Sequence, residues 1–426
     1  MRKVLIVSYY WPPAGGSGVQ RWLKFAKYLP SNDWQPIIYT PDNPYLEIKD
    51  DKLLNNIPLE AEIWKTAIWE PYSLKDRLLG KDIKTQSAGV VSNKKLIRNR
   101  LLNWVRGNLF IPDPKIYWVK PSVKYLANKI IEHNIEHIIT TGPPHSMHLI
   151  GLHLKKIYPD LKWIADFRDP WSELDLLDDF HLLDYSRKKH QQLEKEVLQN
   201  ADVCLTVSEN WVSDLKRLGG NRVELITNGY DDEDFNNQPK TNDKFIIGHY
   251  GLLNHLRNPL NLWKSLNSLC KKHTNFNNKL EIHLSGNIDG EVITDINRYP
   301  YLQGKVVELG YLSHAEVLKQ YNEASILLLL LFNSKSGVGN YPGKMFEYFA
   351  AKKPILAFGP VDSDTQNMIS KTNTGFYYDY MQDTDLQSNI LNIFKDISEF
   401  KPSNKIINFT RKKLTQDLSN LLHSIN

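Results

Sequence analysis

The stretch SILLLLLFNSKSGVGNYPGKMFEY, residues 325–348, contains the pattern that decides the fold. Its apolar run over residues 325–331 predicts a buried strand, and a glycine-bearing loop follows it. Pro342 is then well placed to begin a helix, because its missing N–H would have no partner there in any case. A buried strand, a glycine loop and a helix in this order are typical of a βαβ unit in a parallel sheet.

The same alternation of short apolar runs and amphipathic segments continues through most of the chain. It predicts an α/β protein with two doubly wound sheets, which fits a length of 426 residues, about twice what one hydrophobic core carries. The polar, turn-rich residues 231–240 indicate a linker, so we place one domain at residues 1–238 and the other at residues 239–426. The predicted strands are residues 3–8, 36–40, 137–141, 162–167, 203–207 and 223–226 in the first domain, and residues 245–250, 280–285, 305–309, 325–331, 354–358 and 375–379 in the second.

Composition and charge exclude several classes of protein. A balance of 53 Lys and Arg against 48 Asp and Glu, a net charge of +5, is too small to indicate a protein that binds nucleic acid. Cys204 and Cys270 lack the paired spacing of a disulfide framework or a thiolate zinc site, and they fit a reducing compartment. The longest apolar run, residues 326–332, is far shorter than the ~20 residues that span a bilayer.

Lys344 and Glu347 are the most informative charged residues of the second domain. They are three positions apart, so they share one face near the positive end of the predicted helix. A phosphate could meet the lysine and the first amides of that helix, while the carboxylate holds ribose hydroxyls. An ion pair between the two side chains is the alternative interpretation, in which Glu347 complements the helix dipole.

Two further loops follow strands of the same predicted sheet. One contains Gly251 and Arg257, and the arginine can offer a planar fork of donors to a diphosphate. A solvated arginine is the alternative. The other contains Tyr311, whose ring could meet a nucleobase or pack on its own domain. Three loops at the carboxyl ends of strands in one sheet, carrying Arg, Lys and Glu, favour a nucleotide-diphosphate site.

Three loops of the first domain also carry candidate ligand-binding residues. Gly16 lies between the first strand and a predicted helix, where it lets a ligand approach the backbone or forms a plain tight turn. His145 follows the third predicted strand, and Arg168 and Asp169 follow the fourth, so both clusters lie where open α/β sheets bind ligands. A helix-capping or solvated histidine and a turn aspartate before proline are the alternatives.

The segment from Lys94 to Arg106 contains five basic residues and no acidic one, interleaved with apolar side chains. This pattern is typical of an interfacial helix drawn to an anionic membrane surface. A surface helix that packs its apolar face on its own domain is the alternative.

Five motifs carry a resemblance to a known family: PPAGG at residues 12–16, DFRDPW at 166–171, TNGYD at 227–231, PGKMFEY at 342–348 and KPI at 353–355. With them the chain resembles, over nearly its full length, the family-4 glycosyltransferases of the GT-B fold, particularly the bacterial envelope-polysaccharide branch. The resemblance implies two facing Rossmann-like domains, with the nucleotide-sugar bound mainly by the second and the acceptor by the first. It also implies a C-terminal helix, residues 410–424, that crosses back onto the first domain.

The resemblance implies roles for individual residues as well. Glu347 matches the second glutamate of the family's Glu-x7-Glu element, which holds the donor ribose, and Arg257 and Lys344 match the basic pair that neutralises the diphosphate. The first glutamate of that element falls on Gly339 in this chain. Main-chain amides of residues 337–340 would then replace its contact with the donor sugar.

We therefore expect a cytoplasmic, peripherally membrane-associated, retaining glycosyltransferase that moves a sugar from a nucleotide-diphosphate donor to an envelope polysaccharide or a lipid-linked glycan. The family needs no bound metal, and the nucleotide-sugar is a substrate rather than a cofactor. A sugar-nucleotide epimerase and a nucleotide-sugar-binding protein without catalysis are the alternatives. The expected site residues are Arg257, Lys344 and Glu347 for catalysis, Gly16, Gly251, Tyr311, Gly339, Asn340 and Gly343 for binding the nucleotide-sugar, and His145, Arg168 and Asp169 for positioning the acceptor or sugar.

Overall fold

The computed structural model describes residues 1–71, 96–235 and 243–425. The chain forms two compact units. The first contains Met1–Thr227 together with Leu414–Asn426, and the second contains Asn228–Lys413.

The division after Thr227 differs from the boundary that the polar linker indicates, near residue 238, a position outside the described ranges. Backbone hydrogen bonds explain the difference. The N–H of Tyr230 donates to the carbonyl of Phe409 (3.0 Å), and its own carbonyl accepts from the N–H of Arg411 (2.7 Å). These bonds tie the residues that follow Thr227 to the second unit.

The strands of the first unit are β1 (Arg2–Val7), β2 (Trp34–Pro41), β3 (Glu62–Thr66), β4 (His137–Gly142), β5 (Lys162–Phe167), β6 (Val203–Thr206) and β7 (Val223–Leu225). They form one parallel sheet in the order β3-β2-β1-β4-β5-β6-β7. Six of them confirm the predicted strands. The sequence analysis missed β3, an edge strand that buries only Trp64 among its five side chains and so lacks an apolar run.

Helices cover both faces of this sheet, because successive side chains of a strand point to opposite faces. In β1, Leu5 and Val7 join one hydrophobic cluster, whereas Val4 and Ile6 join another on the opposite face. The helices of this unit before the linker are α1 (Ser17–Tyr28), α2 (Leu96–Leu109), α3 (Ile116–Glu132), α4 (Ser146–Ile157), α5 (Asp184–Asn200) and α6 (Glu209–Arg217).

The C-terminal helix, Arg411–His423, belongs to the first unit from Leu414 onward, which confirms the expected return of the chain. Leu414, Leu418 and Leu422 recur every four residues, so they lie on one helix face and are buried in the cluster beside α1. Trp34 Nε1 also donates to the hydroxyl of Ser419 (3.1 Å), which fixes the helix against β2.

The strands of the second unit are β8 (Phe245–Tyr250), β9 (Leu280–Ser285), β10 (Val306–Gly310), β11 (Ile326–Leu330), β12 (Ile355–Phe358) and β13 (Gly375–Tyr378). They form a second parallel sheet, as predicted, and the structure gives its strand order as β10-β9-β8-β11-β12-β13. Its helices are α7 (Leu260–Lys272), α8 (Thr274–Lys279), α9 (Gly290–Asn297), α10 (His314–Glu323), α11 (Lys335–Val338), α12 (Gly343–Ala351), α13 (Asp364–Thr372) and α14 (Leu386–Lys395). Both units are therefore Rossmann-like.

The parallel pairing determines where loops come together in each unit. All carboxyl ends of the strands lie at one edge of their sheet, so the loops after β8, β10 and β11 share an edge of the second unit. The loops after β1, β4 and β5 share an edge of the first unit in the same way. Among the helices of the described ranges, none is long and apolar enough to cross a bilayer.

Candidate functional site

Lys344 is the second residue of α12 and lies at the carboxyl edge of the second sheet. Its Nζ donates to the carbonyl of Tyr250, the last residue of β8, at 3.0 Å. Burial, together with the nearby positive charge of Arg257, lowers the pKa of this ammonium to about 8. The environment therefore disfavours the positive charge of Lys344, and no carboxylate in the described part of the chain pairs with it.

Arg257 ends a short 3-10 turn, His255–Arg257, in the loop after β8. Its guanidinium lies over the ring of Phe332, with 3.5 Å between Cζ and the ring centroid. The Nε is buried and makes no hydrogen bond within the described ranges, and burial lowers the pKa of this group. It is not a solvated arginine. Two desolvated cations at one sheet edge create a site that an anion would stabilise.

Gly251 leaves room for the ammonium of Lys344. It has a φ of +144°, and a Cβ built on it would lie 2.6 Å from Nζ. The neighbouring Gly286, which directly follows β9, is equally constrained, because its Cβ would lie 2.5 Å from the carbonyl oxygen of Gly251. Sequence analysis missed Gly286, although a glycine immediately after a buried strand of the same sheet is a visible signal.

The start of α12 offers backbone donors beside Lys344. Pro342 is the N-cap and no side chain caps the helix. Gly343 is exposed, and nothing lies within 4 Å of the position of its Cβ. The N–H of Met345 returns to the carbonyl of Pro342 (3.0 Å), which leaves the preceding amides at the positive end of the helix.

The amides of residues 337–340 are partly engaged within their own loop. The N–H of Gly337 donates to the carbonyl of Ser334 (3.0 Å), and that of Asn340 donates to the carbonyl of Gly337 (3.3 Å). The carbonyl of Asn340 accepts from the hydroxyl of Thr365 (2.7 Å). Gly339, which lies between Gly337 and Asn340 in the chain, is buried and is the C-cap of α11. This arrangement gives the loop a defined shape.

Glu347 does not pair with Lys344, so the intrahelical ion pair is not formed in the described structure. Its Oε1 accepts from Nε2 of His314 (3.0 Å), and its Oε2 accepts from the hydroxyl of Tyr321 (3.0 Å). Both partners lie on α10, seven residues apart and therefore on one face. Sequence analysis missed them, although this spacing in the helix after β10 could have been noticed.

Tyr311 lies just before α10 and is 84% exposed, so its ring does not pack on its own domain. It follows β10 directly, at the same sheet edge as Glu347 and Lys344. The second unit therefore brings Arg257, Lys344, Glu347 and Tyr311 to one edge, as the sequence analysis expects.

One exposed group of potential metal ligands lies near this edge. Within the described ranges, His255, Asp289 and Glu291 place one ligand atom each within 4.8 Å of one another. All three are exposed, and such acidic groups are common without an ion.

In the first unit, Asp166 is part of a buried ion pair and not of a ligand site. It accepts from Arg21 (3.0 Å), Trp22 Nε1 (2.8 Å) and the hydroxyl of Thr141 (3.0 Å), and both charged side chains are almost completely buried. Arg21 also donates to the carbonyl of Thr227 (2.8 Å). The network fixes the carboxyl ends of β4 and β5 against α1.

Arg168 uses its nitrogens to hold two loops. Its Nε donates to the carbonyl of Gly142 (3.1 Å), Nη1 to that of Gly18 (2.8 Å) and Nη2 to that of Pro143 (2.6 Å). The guanidinium therefore joins the loop after β4 to the start of α1. Gly16, the N-cap of α1, has a φ of +88° and is exposed, and no side chain caps that helix.

His145 is the N-cap of α4 and is buried, with its ring stacked on Trp171 at 4.9 Å between centroids. Burial lowers the pKa of this imidazole well below its usual range, so the ring is neutral. The start of α4 is occupied by Asp113, whose carboxylate accepts from the backbone N–H of Ser146 (2.8 Å). Asp169 is half-buried, and burial raises the pKa of its carboxyl.

The basic segment forms part of α2. Lys94 and Lys95 lie outside the described residues. At the end of the segment, the Arg106 guanidinium lies over the ring of Phe180 (5.1 Å), and the side chain of Asn108 accepts from the N–H of Leu183 (2.8 Å). The end of the helix is thus anchored to its own domain.

No known family profile and no curated protein matches the sequence. Solved structures do match it. A glycosyltransferase from Rickettsia africae is 14% identical with a TM-score of 0.63, and the match covers 100% of this chain and 98% of that one. The sucrose-phosphate synthase of Thermosynechococcus elongatus is 14% identical with a TM-score of 0.64, over 100% and 99% of the two chains.

A third match is a variant of TarM from S. aureus in complex with fondaparinux, α-GlcNAc-glycerol and UDP. It is 12% identical with a TM-score of 0.53, over 100% of this chain and 97% of that one. Likeness at this level of identity defines the fold alone. The two Rossmann-like units and the returning C-terminal helix are those of the GT-B fold, in which the chain's structural neighbours include glycosyltransferases.

Proposed function

We propose that the protein is a retaining, metal-independent glycosyltransferase that uses a nucleotide-diphosphate sugar as donor. One observation carries the proposal: Lys344 and Arg257 are desolvated cations at one sheet edge, and neither has a carboxylate partner in the described part of the chain. A diphosphate beside the uncapped start of α12 would satisfy both. The TarM variant, which shares the fold, was solved with UDP.

The arrangement suits departure of a nucleoside diphosphate. As the glycosidic bond breaks, its electron pair stays with the diphosphate oxygen, and negative charge develops there. Lys344, Arg257 and the first amides of α12 would stabilise that charge more strongly in the transition state than in the bound donor. In a front-face reaction the acceptor oxygen bonds to the anomeric carbon on the face that the diphosphate leaves, so the anomeric configuration is retained. The departing diphosphate takes the proton of the acceptor hydroxyl as the new bond forms.

We further propose that the acceptor is an envelope polysaccharide or a lipid-linked glycan, met at the cytoplasmic membrane surface. A group of exposed side chains on the first unit supports this location. Trp69 and Tyr117 stack edge to face (4.8 Å), each about half exposed, and Leu109 is 63% exposed at the end of α2. Lys120 and Lys124 are exposed on the same face of α3 as Tyr117. Exposed aromatic and basic side chains together suit an anionic lipid surface.

Turnover assays test the proposal directly. The protein is incubated with a panel of nucleotide-sugars, with and without lipid-linked glycan extract, and nucleotide release and sugar identity are followed. A transferase releases free nucleotide only with acceptor and makes a product whose anomeric configuration matches the donor. An epimerase changes the sugar without acceptor, and a protein that only binds does neither. Either of the last two results would contradict the proposal. Loss of turnover in the presence of EDTA would contradict its metal independence.

A further inference from the structure

The carboxylate of Glu347 is held at both oxygens by donors from a single helix. His314 Nε2 lies 3.0 Å from Oε1, and the Tyr321 hydroxyl lies 3.0 Å from Oε2. A carboxylate has about four acceptor positions, so these two bonds leave about two unused. That number suits a vicinal diol such as the two hydroxyls of a ribose.

The two donors are themselves held in place. Tyr321 is 2% exposed, and its ring packs edge to face against Tyr250 (5.3 Å) and Tyr348 (5.0 Å). Burial raises the pKa of its hydroxyl well above the usual range, so it remains a donor. His314 is the first residue of α10, whose start is fixed by a capping box between Ser313 and Glu316.

His314 also connects the carboxylate to solvent-exposed surface. Its side chain is 42% exposed, and that of Glu347 is 25% exposed. Tyr311, three residues earlier, is 84% exposed. The start of α10 therefore lies beside an imidazole, a carboxylate and an open aromatic ring. The cationic groups lie on other elements, Arg257 in the loop after β8 and Lys344 at the start of α12.

We propose that His314 and Tyr321 are positioning residues that orient Glu347 toward the ribose hydroxyls of the donor, and that the nucleoside lies over the start of α10 beside Tyr311. This inference rests on the proposed function. It assigns the nucleoside to one end of the site and the diphosphate to the other. His314 and Tyr321 then act on affinity for the ribose and not on the chemistry at the diphosphate.

The test compares ligands that differ only in the ribose hydroxyls. Uridine, guanosine and adenosine diphosphates, their 2′,3′-dideoxy analogues and inorganic pyrophosphate are titrated calorimetrically into the wild type and the variants His314→Ala, Tyr321→Phe and Glu347→Gln. For whichever ribonucleotide the wild type binds, each variant should lower the affinity by about 10-fold to 100-fold, the usual effect of losing a hydrogen bond to a charged group. Affinity for the dideoxy analogue and for pyrophosphate should change less than about twofold.

Two controls separate positioning from a structural role. His314→Gln keeps an N–H donor and should recover most of the ribonucleotide affinity. Lys319→Ala alters an exposed residue of the same helix and should have no effect. If His314→Ala and Tyr321→Phe weaken ribose and dideoxy ligands equally, or weaken neither, the inference is overturned.

The proposed function can fail separately. If Lys344→Ala abolishes pyrophosphate binding but the ribose preference is insensitive to His314 and Tyr321, only the positioning inference fails. If the wild type binds neither a nucleoside diphosphate nor pyrophosphate, the donor site itself is wrong and both proposals fall.

Discussion

Lys344 and Glu347 are three residues apart on one helix, yet they do not bond to each other. Nζ of Lys344 reaches the carbonyl of Tyr250 (3.0 Å), and the carboxylate of Glu347 turns to His314 and Tyr321 on α10. The two side chains thus have different partners, which gives the site a cationic group at Lys344 and a carboxylate at Glu347 that are not neutralised by bonding to each other. A nucleoside diphosphate has the complementary division, with hydroxyls at one end and phosphates at the other.

Removing either cation should reduce turnover strongly. Lys344→Ala and Arg257→Ala each remove charge stabilisation from the leaving group, and one such contact contributes ~2.7–4 kcal/mol, or roughly a hundredfold to a thousandfold in rate. Steady-state kinetics with the best donor measures the loss. Lys371→Ala, which alters an exposed lysine of the same unit, should remain at wild-type rates. Folded Lys344 or Arg257 variants with normal turnover would refute the diphosphate site.

Donor binding should weaken as the pH rises through about 8, the pKa to which burial lowers Lys344. Below that pH the ammonium is charged and attracts the diphosphate, and above it the neutral amine does not. Folding stability should instead increase with pH between about 8 and 10.5. In that range the folded lysine has lost its proton, whereas the unfolded lysine keeps its proton up to its ordinary pKa of 10.5. Calorimetric titrations from pH 6.5 to 9.5 should show the decline in the wild type. An identical decline in Lys344→Ala would assign it to another group.

Gly251→Ala should weaken donor binding by roughly tenfold or more, the effect of losing one charge-assisted hydrogen bond. The new Cβ would lie 2.6 Å from Nζ of Lys344, so the flexible lysine must move away. The φ of +144° adds backbone strain at this position. Gly290→Ala is the matched control, since nothing lies within 4 Å of the Cβ position there. Equal affinities for the two variants would show that the position of Nζ is unimportant.

Asp166→Ala should destabilise the first unit by ~3–5 kcal/mol, because it removes the buried carboxylate that accepts from Arg21, Trp22 and Thr141. Urea unfolding of the purified protein measures the change. Asp178→Ala removes a partner of Arg187 from an exposed ion pair and should cost no more than ~1 kcal/mol. A similar small effect for Asp166→Ala would mean that the buried pair contributes little to the fold.

Binding to anionic vesicles should exceed binding to neutral ones and should weaken with salt. Each basic residue near an anionic surface contributes ~1 kcal/mol, so Lys120→Gln with Lys124→Gln should reduce binding by roughly 30-fold. Trp69→Ser should reduce it further through the lost apolar contact. The control pair is Lys188→Gln with Lys216→Gln, both exposed elsewhere on the first unit. If co-sedimentation does not depend on lipid charge, or is unchanged by Lys120→Gln with Lys124→Gln, this surface does not bind the membrane.

Local patterns were sufficient to predict every strand except β3, and the sheet edge that carries the candidate site. Buried parallel strands are continuous apolar runs, and parallel pairing places every carboxyl end on the same edge, so Arg257, Lys344 and Glu347 had to lie near one another. The edge strand β3 was not predicted, because it buries only Trp64 among its five side chains and has no apolar run.

What each side chain contacts could not be predicted in the same way. Spacing places Lys344 and Glu347 on one helix face but cannot say whether they bond, because the competing partners come from β8 and α10, far away in the chain. Arg168 illustrates the same limit. The sequence analysis expects it beside a ligand, and the structure shows its three nitrogens on the carbonyls of Gly142, Gly18 and Pro143.

The sequence by itself thus determined the two Rossmann-like units and the sheet edge that carries the candidate site, and its family resemblance predicted the return of the C-terminal helix. The periodicity of helices and strands depends on local burial, which a sequence records directly. Only the tertiary structure decided which polar groups pair and which cations have no carboxylate partner among the residues that the structure describes. Those pairings depend on atoms brought within about 3 Å by packing between distant segments, and the sequence does not record such distances.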